Sequence, residues 1–172
     1  MAFSDISVLI KVSFVVSLVA LIIHIIGYST NYWVEYQSPL YLYKYHQGLW
    51  RQCTGSNDSH SCMDIPAHGS TVELKTTRAF ETMGFLVGIA SSFLMILTSF
   101  ARQKRIVRVL ATATAFGAGV LVFVGVIVFA TDRPRAYEYG YSFALSIVGG
   151  ILYVVTGMIL TVDMQSGSPV AA

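Results

Sequence analysis

Four long apolar runs, near Ile6–Gly27, Ala79–Ala101, Ile106–Ala130 and Tyr141–Val162, alternate with polar connections of unequal length. A hydrocarbon core about 30 Å thick needs about 20 mainly apolar helical residues, and each run supplies them. Lipid offers no partner for backbone N–H and C=O groups, so each run predicts a helix, and four runs parted by polar segments do not make a barrel. The pattern predicts an all-α membrane protein, a four-transmembrane-helix bundle in which residues 1–172 form one unit. Its connections are a long loop over Ser29–Arg78 and a short one over Thr131–Gly140. The segments flanking the outermost runs, including the tail from Asp163 to Ala172, are too short for a second module. Lys11 lies inside the first run and no small-x-small site follows, so that run reads as a retained helix and not a signal peptide. Near the end of a span, the Lys11 stem can reach the interface by snorkelling.

Composition agrees: 55% of residues are hydrophobic and 12% charged, with a mean hydropathy of +0.64, too apolar for an ordinary soluble domain. Charge then sets the orientation. The connection between the second and third runs carries Arg102, Lys104, Arg105 and Arg108, which the positive-inside rule places in the cytoplasm together with both termini. The two other loops then face outward. The net charge of +2 is small and scattered, which gives nucleic-acid binding no support.

The first outer loop holds the chain's two cysteines, Cys53 and Cys62, and an even count in an outward-facing loop favours a disulfide. Between them lies Asn57-Asp58-Ser59, a glycosylation sequon that agrees with the same orientation and makes Asn57 a candidate glycan site. The alternative, zinc held by the cysteines with His46, His60 or His68, lacks the usual ligand spacing. Within the loop, Tyr41-Leu42-Tyr43-Lys44-Tyr45-His46 has a β-rich, partly alternating composition, with Ser38-Pro39 and Gly48 as breaks on either side. These signals predict a small extracellular antiparallel β-sheet, stapled by the disulfide because so small a sheet is not stable alone. Trp33 and Trp50 read as aromatic anchors at the membrane interface.

The order Trp33, then Gly48-Leu49-Trp50-x-x-Cys53, then Cys62, with Arg78-Ala79 at the mouth of the second span, resembles the signature of the claudin and peripheral myelin protein superfamily. His46–Arg51, Thr77–Phe80 and Gly140-Tyr141-Ser142-Phe143 are most similar to the lens fibre membrane protein and epithelial membrane protein branch. The resemblance implies a left-handed bundle carrying a claudin-like sheet built from the first outer loop plus a strand of the second. It also implies that Gly48, Leu49 and Trp50 seat the sheet, that Cys53 and Cys62 are bridged, and that Arg78 sits beneath as a docking residue. The tail ends without the tyrosine-valine pair by which claudins engage PDZ scaffolds.

Small residues share faces within the spans: Gly84, Gly88 and Ser92; Ala113 and Gly117; Gly149 and Gly157. Such faces allow close helix approach, within one protomer or between two. Of the ionisable groups, His24 reads as a neutral, hydrogen-bonded packing residue, and Glu81 is expected to pair with Arg78 three residues earlier. No paired carboxylates, phosphate loop, nucleophile elbow or zinc helix motif is present, so the chain reads as no enzyme, with no cofactor and no metal. Two function classes remain. One is a plasma-membrane protein of cell–cell contacts, self-associating in cis and in trans as an adhesion or paracellular barrier component. The other is an auxiliary subunit of an ion channel or receptor. In the first, Asp58 and Asp64 beside the second cysteine are candidate ion-selectivity residues.

Overall fold

The computed structural model describes residues 7–38, 43–56, 59–68, 70–100, 105–131 and 137–166. Four helices, α1 (Val8–Ser29), α2 (Val72–Phe100), α3 (Arg105–Thr131) and α4 (Tyr141–Ser166), are each long and apolar enough to cross a membrane. Between α1 and α2 run strands β1 (Val34–Ser38), β2 (Tyr43–Gln47), β3 (Arg51–Ser56) and β4 (Ser59–Asp64), and β5 (Glu138–Tyr139) precedes α4. They form one antiparallel sheet in the order β4-β3-β2-β1-β5, so the second loop adds its strand beside β1. This is the claudin-like four-helix fold with its disulfide-linked sheet.

Two helix boundaries differ from the hydropathy reading. α2 begins at Val72, seven residues before Ala79, because Val72-Glu73-Leu74-Lys75-Thr76-Thr77 is amphipathic and buries Leu74 and Thr77. At 29 residues it is about 43 Å long, so its first turns stand clear of a hydrocarbon core of about 30 Å and reach the sheet. α4 likewise continues past Val162 to Ser166. Asp163 is therefore not in a tail: it is buried, accepts from the Ser7 hydroxyl at 2.6 Å, and meets the Arg108 guanidinium at 3.3 Å. That clasp joins α1, α3 and α4 at the end opposite the sheet. Ser7 also caps α1, its hydroxyl accepting from Leu9 N–H at 3.2 Å.

In lipid, apolar groups gain nothing by facing inward, so packing is set by small and polar residues. α1 illustrates this: Ser13, Ser17, Ala20, His24 and Gly27 are buried, while Val12, Val15, Ile22 and Ile25 face outward. Its seam with α2 is bridged by Ser17 to Ser92 and by Tyr28 to Thr82, each at 2.9 Å. The glycine faces of α2 and α4 pack inside the protomer. A side chain at Gly84 would strike Val122 at 2.9 Å, and one at Gly157 would strike the Phe116 ring at 2.8 Å. The face expected on α3 is corrected: Ala113 is exposed and Gly117 only half-buried. α3 instead buries Ala111, Ala115, Ala118, Gly119 and Val122, the stripe that meets α2 and α4.

Candidate functional site

The site is the junction where the sheet sits on the bundle. Trp33 follows α1 directly and is fully buried, its indole N–H donating to the Gly27 carbonyl at 2.9 Å. Its ring lies edge-on against Phe129 and Phe143, with centroids 4.8 and 5.7 Å away, in one cluster with Val34, Leu49, Leu74 and Val126. The expected interfacial anchor is thus a core residue, because the strand after it turns its side chain into the bundle. Trp50 keeps the surface role: it is 37% exposed, donates to the Tyr28 carbonyl at 3.1 Å and packs edge-on against the Tyr28 ring.

Gly48 and Leu49 form the turn between β2 and β3. A Cβ at Gly48 would sit 2.6 Å from both Asn31 Cα and the Thr30 carbonyl, so the turn approaches the end of α1 closely only because glycine is there. Leu49 is fully buried, and its carbonyl accepts from Arg78 Nε at 2.6 Å. Arg78 also donates through Nη2 to the Ile65 carbonyl at 3.3 Å and lies 5.3 Å over the Trp50 ring. One guanidinium therefore ties the β2–β3 turn, the segment after β4 and Trp50 to α2. Arg78 does not pair with Glu81. It is drawn upward to orphan carbonyls of the sheet, and Glu81, on the next turn, bonds His24 Nε2 at 2.9 Å with both side chains fully buried. His24 is hydrogen-bonded as expected, but to the carboxylate that the sequence had assigned elsewhere.

On β4, Cys62 lies directly opposite Cys53 of β3, and the two are disulfide-bonded. The zinc alternative thereby loses its thiolates. The row continues across the sheet through His46 and Glu35 to Glu138 of β5. The His46 ring is held by its Nδ1–H donating to the Asn31 carbonyl at 2.9 Å and by stacking on Tyr32, 4.0 Å between centroids. Tyr32 stacks in turn on Tyr141 at the start of α4. Tyr32, Glu35, Lys44, His46 and Glu138 line a polar groove of about 570 Å³ on the sheet. On the other face Tyr45 donates to Gln47 at 2.5 Å, and burial, with Tyr137 and Tyr43 alongside, pushes its phenol up to about 12.

Asn57 and Asp58 lie outside the described residues. Asp64 is exposed and meets Arg51 Nε at 2.9 Å across the β3–β4 pair, so a neighbouring cation offsets its charge. The His24–Glu81 pair and the Asp163 clasp escaped the sequence reading. A signal for the first was present in the 4-3-4-3 spacing of Ser13, Ser17, Ala20, His24 and Gly27, a polar stripe in an otherwise aliphatic span.

Together the bundle, the disulfide-linked sheet and the tryptophan–arginine junction define a multi-pass membrane protein that holds a folded platform at one end. The family model for PMP-22/EMP/MP20/Claudin matches residues 6–160, and the chain belongs to that family. Comparison with curated proteins finds no match. The family is one of non-enzymatic structural membrane proteins of the junction and adhesion kind.

Proposed function

We propose that this protein organises cell–cell contacts at the plasma membrane, its sheet facing outward and associating with copies of itself or related proteins in cis and in trans. The observation that carries the reading is the junction. Trp33, Leu49 and Arg78 seat the sheet on the helices, so a surface of defined shape is held above the bilayer. The disulfide supports an outward sheet, since such bonds persist in oxidising compartments, and Arg105 and Arg108 at the opposite end support cytoplasmic termini. On this reading residues 1–172 act as one unit, Asn57 is open to glycan addition, and the nearest likeness is to the lens fibre and epithelial membrane protein branch.

If contacts between copies enclose a paracellular path, Asp58 and Asp64 are its selectivity residues. Reversing both charges then lowers cation preference, and unchanged ion selectivity removes the assignment. A second reading, an auxiliary subunit of a channel or receptor, is favoured by α3: Ala113 is exposed beside half-buried Gly117, a surface on which another membrane helix can approach closely. Expression in cells lacking junction strands, with a surface label, separates the two. Enrichment only where two expressing cells touch supports the contact role. Uniform surface labelling with a co-purifying channel or receptor supports the second.

A further inference from the structure

We propose that His24 and Glu81 form a proton-binding site inside the membrane bundle, and that its occupancy is transmitted to the sheet through Trp50. Both side chains are fully buried and meet at 2.9 Å, His24 on α1 and Glu81 on α2. Among the described residues, their other polar atoms, His24 Nδ1 and Glu81 Oε1, have no hydrogen-bond partner, and the same holds for the buried Ser146 and Tyr153 hydroxyls of α4. The two hydroxyls flank the pair at different depths, Ser146 beside Gly27 and Tyr153 beside Gly88. His24 rests on Gly149, between Ser146 and Tyr153, and its ring is edge-on to Tyr153 at 5.9 Å.

A saturated ion pair has a single arrangement. This one has spare capacity of its own: His24 Nδ1 and Glu81 Oε1 are both unused, so the pair can accommodate more than one proton count. A membrane-embedded histidine–carboxylate pair with unused hydrogen-bonding atoms is chemically a site for a proton, not for a larger guest, because glycines close around it. A Cβ at Gly125 would lie 3.1 Å from Glu81 Oε1, and one at Gly149 would lie 3.1 Å from His24 Cβ. The titratable and charged groups packed around the pair are few. α1 adds Tyr28 and α4 adds Tyr153, both edge-on to the His24 ring, α3 presents Gly125, and Arg78 of α2, one turn from Glu81, has its guanidinium directed to the Leu49 and Ile65 carbonyls.

The link to the sheet is short. Tyr28 is one turn from His24, edge-on to its ring, and holds Trp50 through its carbonyl and an edge-on ring contact. Arg78, one turn from Glu81, lies over the same indole. A change in charge or hydrogen bonding at the pair therefore reaches Trp50 along two paths.

The test is a pH titration of the full chain in lipid nanodiscs, followed by infrared difference spectroscopy and by tryptophan emission. The expected result is a carboxylic-acid C=O band of non-aqueous character that appears with acidification, with part of the emission change following the same titration. Glu81→Gln removes the band, His24→Gln moves its midpoint, and Trp50→Phe removes the coupled emission change while leaving the band. A wild-type band that is constant over the range in which the protein stays folded overturns the proposal, as does a pH-dependent band that survives Glu81→Gln. Where Glu81→Gln fails to fold, Glu81→Asp takes its place: a shifted band or midpoint is the expected result, and a band unchanged in position and midpoint overturns the proposal. A titrating band with no matching emission change overturns the link to the sheet.

Discussion

Replacing Arg78 by methionine isolates what holds the sheet to the helices. Methionine keeps an unbranched stem of similar reach and removes only the guanidinium. Three interactions are lost: the 2.6 Å bond to the Leu49 carbonyl, the 3.3 Å bond to the Ile65 carbonyl, and the contact 5.3 Å over Trp50. Hydrogen bonds from a charged donor contribute about 1.5–3 kcal/mol each, the longer one at the lower end, and stacking of a cation on an aromatic face adds about 0.5–1 kcal/mol. Water reaching the Ile65 carbonyl recovers some of this, while Leu49 is fully buried and its carbonyl stays unpaired. The net loss is about 3–5 kcal/mol, roughly a hundred- to several-thousand-fold in the ratio of docked to undocked sheet. A five-stranded sheet of short strands is not stable free of its support, so undocking opens its amides to solvent. Hydrogen exchange in nanodiscs therefore shows accelerated exchange in β2 and β3 by about that factor, with the middle of α3 unchanged. Arg78→Lys keeps the charge without the fork and falls between. Unchanged strand protection in Arg78→Met, or a loss spread evenly over the helices, refutes the reasoning.

Other outcomes follow from the same geometry. Cys53→Ser or Cys62→Ser removes a nine-residue closure of about 2–3 kcal/mol and lowers surface delivery, measured by surface biotinylation, more than Lys44→Ala does; equal surface levels would argue against the staple. Gly27→Ala puts a methyl 2.8 Å from Ser146 Oγ and 2.9 Å from the Ser142 carbonyl, so it pushes α1 off α4 and lowers the thermal midpoint by an amount equivalent to about 1–3 kcal/mol. Tyr45 titrates at about 12 in the folded chain against 10.0 when free, so its contribution is intact below about pH 10 and is lost as pH rises through 12. Phenolate absorbance should show that late titration, and Tyr45→Phe should abolish it.

The four spans were legible because hydropathy is a property of the local run, and the bundle's existence needs nothing else. The ends were not. Val72–Arg78 is polar enough to read as loop, yet it is helical because the sheet covers Leu74 and takes up Arg78. Trp33 looked like one of several interfacial aromatics, and only the strand that follows it decides that it points inward. β5 is just Glu138 and Tyr139, too short for any alternation signal, and was expected only through the family likeness. Glu81 was given its nearest cation along the helix, Arg78. In the fold that arginine satisfies carbonyls from another segment, and the carboxylate turns to a histidine 57 residues away. Pairings across spans are set by helix packing, which hydropathy does not encode.

The contact role is tested most directly by mixing cells that express the protein with cells that do not, in a line without junction strands, and measuring surface-labelled protein at each type of border. The account predicts enrichment at borders between two expressing cells and none at mixed borders. It also predicts loss of that enrichment in Arg78→Met protein that still reaches the surface. Equal density at all borders, or enrichment that survives undocking of the sheet, contradicts it.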